Sequence, residues 1–144
     1  MDVDMLRVRL GTAQSWEKRC DAWWLEDQNL DVESMARLMI ELQARLATIT
    51  AIPVSQEECR VAYHWDLDGQ LLTLATTTHE GSVPSIAAIC PAAEWIEREI
   101  HDYFDVHLMG REDLPPLVLR RQRLPHPAAP ALRQPMPPRR PAVS

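Results

Sequence analysis

The order of apolar and polar positions divides the chain into a leading segment, a patterned middle and an unpatterned end. Behind Asp31, a residue type suited to a helix N-cap, Met35, Leu38, Met39, Leu42 and Leu46 recur at helical spacing. From Ala44 to Ile52 the chain turns β-branched and Pro53 closes the run, which predicts a strand. Val61, Tyr63, Trp65 and Leu67 then alternate with Ala62, His64 and Asp66, the period of a half-buried strand. Asp68-Gly69 is a two-residue hairpin turn, and Gln70 to Thr78 forms the return strand. Gly81-Ser82-Val83-Pro84 reads as a loop.

A second helix is expected from Pro91, where proline in the first turn costs no hydrogen bond, to Phe104. At about 100° per residue, Ala92, Ala93, Trp95, Ile96, Glu99, Ile100, Tyr103 and Phe104 share one arc. Glu94, Glu97, Arg98, His101 and Asp102 fill the other. Glu99 therefore sits near the middle of the apolar arc. A carboxylate on a packing face must pair or accept hydrogen bonds, so this helix is a candidate contact surface. His107 and Leu108 fit a short edge strand.

Helix, strand, hairpin and helix in that order imply an α+β fold, an antiparallel sheet with helices packed on one face. Residues 31–119 form the domain. Residues 1–30 hold Trp16, Trp23 and Trp24, and a short helix over about 13–27 is expected there, docked on the domain core. Residues 120–144 contain seven of the 12 prolines and no apolar period, so they read as an extended or disordered Pro/Arg-rich tail.

Charge sharpens that division. The net charge of −6 conceals six arginines and no acid from Arg120 onward; the other nine basic residues face all 21 acids, so residues 1–119 carry −12. Such a body does not bind nucleic acid by neutralising phosphates. The basic tail suits an acidic protein surface or anionic lipid. No apolar run approaches the 18 or so residues needed to span a bilayer, and no signal peptide is expected at the N-terminus. Cys20, Cys59 and Cys90 match no zinc or iron–sulfur spacing and read as reduced thiols in a cytoplasmic protein.

Candidate chemistry is sparse. Glu97 and His101, four apart, have a metal-compatible spacing, but no second pair completes a ligand set. Solvated pairs Glu94–Arg98 and Arg98–Asp102 are the simpler reading. Asp66, Asp68 and Gly69 imitate the start of a calcium loop without its later glutamate, so they read as the turn. His64 reads as a cross-strand neighbour rather than a catalytic base. No phosphate loop and no nucleophile beside a histidine occurs. No catalytic, cofactor-binding or metal-ligating residue is assigned.

Within Pro91–Val118, the run Glu97-Arg98-Glu99, Asp102, two aromatics, Arg111 after six residues, Asp113-Leu114 and Pro116-Leu117 resembles the signature of the 30-kilodalton subunit family of respiratory complex I. That family also serves membrane-bound nickel–iron hydrogenases and formate hydrogenlyases. The resemblance extends upstream through Ala92-Ala93-Glu94-Trp95 and covers roughly residues 35–119. It departs twice. The family usually has glycine where this chain has Asp105, and His-Pro-Asp-Leu-Arg where this chain has Arg111-Glu112-Asp113-Leu114-Pro115.

The resemblance implies a non-catalytic accessory subunit without cofactors. Its partners would be a large catalytic subunit and the adjacent iron–sulfur small subunit, in a peripheral arm on the cytoplasmic side of the membrane. The implied interface is Trp95, Glu97, Arg98, Glu99, Asp102, Tyr103, Arg111, Asp113 and Leu114. The hairpin and the short chain look more like the hydrogenase-linked members. The chain ends without a fused large subunit, so a separate partner polypeptide is expected. The alternative is a free-standing adaptor that recruits partners through its Pro/Arg-rich tail.

Overall fold

A computed structural model describes residues 3–111. Its elements are α1 (Val3–Leu10), β1 (Glu17–Arg19), β2 (Ala22–Glu26), α2 (Val32–Glu41), β3 (Arg45–Pro53), β4 (Cys59–Leu67), β5 (Gln70–Thr77), β6 (Ser82–Pro84), α3 (Ala93–Phe104) and β7 (His107–Met109).

The hairpin β4–β5 forms as its period predicts. Asp68 and Gly69 both take positive φ, 53° and 81°, as the turn that matches strand twist requires. Asp66 Oδ1 accepts from the Gly69 amide at 3.0 Å, which uses that carboxylate for the turn. Val61, Tyr63, Trp65 and Leu67 are all buried. The α2 cap also forms: Asp31 Oδ1 accepts from the Ser34 amide at 3.0 Å and Oδ2 from the Ser34 hydroxyl at 2.8 Å.

Five strands make one sheet in the order β1-β2-β5-β4-β3. The α+β class holds, but the sheet is mixed, because β2 runs parallel to β5. Residues 13–27 are not the expected helix. Trp23 and Leu25 lie opposite Leu72 and Leu74, while Trp24 points to the other face under the Arg19 guanidinium, 4.4 Å from its ring centroid. Two bulky residues on opposite faces satisfy a strand and not a one-sided helix. A helix forms earlier instead: α1 seats Leu6 in the core and pairs Arg9 with Glu41 of α2.

One face of the sheet carries the core. Trp65, fully buried, donates its indole N–H to Met35 Sδ of α2 at 3.1 Å, tying helix to sheet. Burying an aromatic of that size removes about 150–250 Å² from water, worth roughly 4–6 kcal/mol. Tyr63 lies in the same layer, and burial pushes its phenol far above its ordinary range, with the Glu97 charge adding to the shift. The other face holds His64 between Thr50 and Thr73, at 3.0 and 2.9 Å from its ring nitrogens, as its cross-strand position implies.

The expected loop at residues 81–84 is instead mostly strand. β6 and β7, three residues each, pair in parallel as a separate two-stranded sheet. They bring the end of the described chain back beside α3.

Candidate functional site

The helix α3 begins after a tight turn. The Cys90 amide donates to the Ile86 carbonyl at 2.7 Å, and Glu94 N to Pro91 O at 3.0 Å, so Pro91 precedes the helix and Ala92 is its N-cap. The buried positions of α3 are Ala93, Glu97 and Ile100. Among the described charged residues only Glu97 is buried, at 1% exposure. Ser85 Oγ donates to it at 2.6 Å, the Ile86 amide at 2.8 Å and Arg111 Nη1 at 3.1 Å.

Glu99 is not the packing-face carboxylate. It is exposed, and Trp95 Nε1 donates to it at 3.0 Å. Trp95 and Tyr103 are 58% and 68% exposed. These two large aromatics pull the apparent apolar arc toward solvent, whereas the helix packs through positions spaced 93, 97, 100. Glu97 is admitted to that stripe because three donors meet it, the condition for burying a charge.

The remaining expected positions separate into two groups. Arg111, its side chain 13% exposed, is held to α3 by Glu94 Oε1 at 2.7 Å, Glu97 Oε1 at 3.1 Å and the Glu94 carbonyl at 3.3 Å. Glu97 and Arg111 thus form an internal clamp. Trp95, Glu99 and Tyr103 form an exposed ridge, with Arg98 and Asp102 half-buried beside it. Arg98 Nε stands 3.9 Å from Glu94 Oε1. Asp113, Leu114 and the Pro/Arg-rich tail lie outside the described residues.

Asp105, at the position where the family usually has glycine, ends the helix with φ 60° and ψ 25°. That left-handed position favours glycine and tolerates aspartate. The departure is therefore accommodated at a backbone cost, with the Asp105 amide donating to His101 O at 3.1 Å. His101 Nδ1 lies 3.0 Å from the Val106 carbonyl, which fixes the same corner.

Between the ridge and β3 runs a groove of about 300 Å³, walled by residues 48–51 and by Ile96, Glu99, Ile100, Tyr103 and Phe104. Among the described residues no three His, Cys, Asp or Glu side chains converge as a metal site. Cys20, Cys59 and Cys90 are free thiols, and burial pushes the Cys59 thiol up. No described helix is long and apolar enough to cross a membrane. The arrangement is an exposed aromatic ridge braced from within by Glu97 and Arg111.

Residues 26–140 match the family model described as "Respiratory-chain NADH dehydrogenase, 30 Kd subunit". The C/D polypeptide of the NADH-quinone oxidoreductase of Methylococcus capsulatus (strain ATCC 33009 / NCIMB 11132 / Bath) is 40% identical over 48 residues, which is 33% of this chain and 8% of that relative. A chain of the membrane-bound sulfane sulfur reductase, an archaeal respiratory membrane complex, shares the fold at a TM-score of 0.68 and 24% identity, over 82% of this chain and 76% of that one. The trypsin-resistant fragment of Nqo5 does so at a TM-score of 0.62 and 21% identity, over 78% of this chain and 98% of that fragment.

Proposed function

The chain belongs to the 30-kilodalton subunit family of the respiratory-chain NADH dehydrogenase, and from that premise we propose that it is a non-catalytic accessory subunit of a membrane-associated electron-transfer complex. It packs against the large catalytic subunit in the peripheral arm, on the cytoplasmic side, beside the iron–sulfur small subunit. Its host is a nickel–iron hydrogenase-type complex or an NADH-quinone oxidoreductase. The fold shared with a chain of an archaeal respiratory membrane complex supports this reading in kind.

The observation that carries the reading is the two-sided design of α3. Its charge is clamped inward through Glu97 and Arg111, and its two large aromatics, Trp95 and Tyr103, are left in water with Glu99 between them. Exposed aromatics flanked by charge are the residue types that dominate binding energy at protein interfaces. The basic tail supports the same reading, since it suits an acidic partner.

The test is the pair Trp95→Ala and Tyr103→Ala in the tagged full chain. Each is expected to weaken recovery of the large subunit by about tenfold or more, with the melting temperature of the isolated chain unchanged. Unimpaired recovery with both residues replaced would overturn this choice of surface.

A further inference from the structure

The groove between α3 and β3 has an unusual wall. Residues 48–51 are consecutive, yet all four line it. Side chains of consecutive strand residues point to opposite faces, so the element facing the groove is the strand's backbone edge. β3 is the last strand of its sheet, and among the described residues no strand pairs with its outer side. Exposed edges are normally guarded by charge, proline or a bulge. Here a bulge lies between Leu46 and Thr48, Pro53 ends the strand and α3 packs alongside β3, but the five residues Thr48 to Ile52 themselves carry neither charge nor proline. Glu99 is the one charged residue among those lining the groove.

We propose that this groove receives an extended segment of the large partner subunit, which adds a strand to the outer edge of β3 and places an arginine or lysine against Glu99. The inference rests on the accessory-subunit reading and deepens it. Main-chain hydrogen bonds to β3 supply the affinity. Apolar side chains fill the space by Ile96 and Tyr103, and the basic residue supplies register. The groove is continuous with the Trp95–Tyr103 ridge, so one partner covers both. The chain's own tail is a poor occupant, because seven prolines in residues 120–144 remove ladder donors. A second copy adding its own β3 edge would bring residues 48–52, which hold no basic residue to answer Glu99.

Residue-resolved hydrogen exchange on the native complex and on the isolated full chain tests this. In the complex, alternate amides of residues 48–52 are expected to slow by about a hundredfold or more, while the opposite edge, β1, serves as comparator. Glu99→Lys is expected to abolish that protection and to lower recovery of the large subunit at least about tenfold, with Glu99→Asp restoring most of both. Its isolated melting temperature, expected to match the parent, separates lost docking from lost folding. Protection of all amides alike, or of none, overturns the strand addition while leaving the accessory-subunit reading standing. Protection, already in the isolated chain, of the amides that face away from β4 overturns it too, in favour of the tail if it survives dilution and of a second copy if it does not. Recovery of the chain without any large redox subunit overturns both readings together.

Discussion

Replacing Glu97 by alanine removes the single acceptor on which three donors converge. The Ile86 amide, 2.8 Å away and buried, is left unsatisfied, at a cost of about 1–3 kcal/mol. Removing one partner of a buried ion pair costs roughly 3–5 kcal/mol. These figures do not add, because Arg111 keeps Glu94 Oε1 at 2.7 Å and the Glu94 carbonyl at 3.3 Å. The expected loss is therefore about 3 kcal/mol, or roughly 10 °C in melting temperature for a domain of this size. Glu97→Gln keeps an oxygen for Ile86 but turns an amide N–H₂ or a neutral oxygen toward Arg111, and should cost about half as much. Glu99→Ala is the comparison: an exposed carboxylate with one indole contact should cost less than about 0.5 kcal/mol. Urea unfolding of the four purified chains, followed by tryptophan fluorescence, gives the numbers. Equal losses for Glu97→Ala and Glu99→Ala, or a larger one for Glu99→Ala, would refute the inward clamp.

Asp31→Ala should destabilise α2 by about 1 kcal/mol in the same assay. The Ser34 amide and hydroxyl hold the Asp31 carboxyl below its ordinary 3.8, so the cap's contribution is present at neutral pH and is lost as pH falls through the lowered folded value; the alanine variant should lack that acid-side loss. Asp105→Gly should raise stability by about 0.5–1 kcal/mol, since it relieves an αL aspartate and removes an acid from a helix C-terminus; a lower melting temperature would contradict this. Burial holds the His64 imidazole below its ordinary 6.5, so the unfolded chain takes up a proton first as pH drops. Stability should therefore fall as pH decreases below 6.5 and level off below the folded value, and His64→Gln should flatten that slope in melting curves.

The elements legible in the sequence are those whose determinants are local. The Val61–Leu67 alternation, the Asp68-Gly69 turn and the Asp31 cap each rest on a few neighbouring residues, and all three form. The existence of α3 is legible in the same way, but its rotation is not. Ala93, Glu97 and Ile100 make a regular stripe with one charge in it, and only tertiary structure brings Ser85, Ile86 and Arg111 to that charge. The basic residue after the helix is the available signal, and Trp95 and Tyr103 mask it by dominating a hydrophobic wheel. β2 is hidden for a related reason: its partner β5 lies far along the chain and parallel to it, so no turn announces the pairing. The short strands β6 and β7 form a sheet of their own and leave a trace at His107–Leu108 alone. The Asp105 departure becomes interpretable through its positive φ.

Membership of a larger redox assembly is read out by affinity purification of the tagged full chain from detergent-solubilised native membranes. Equimolar recovery of a large catalytic redox subunit and an iron–sulfur small subunit is expected, retained through size exclusion at moderate salt. A chain that elutes alone, at its own mass of 16.5 kDa, from membranes in which those subunits remain intact would contradict it.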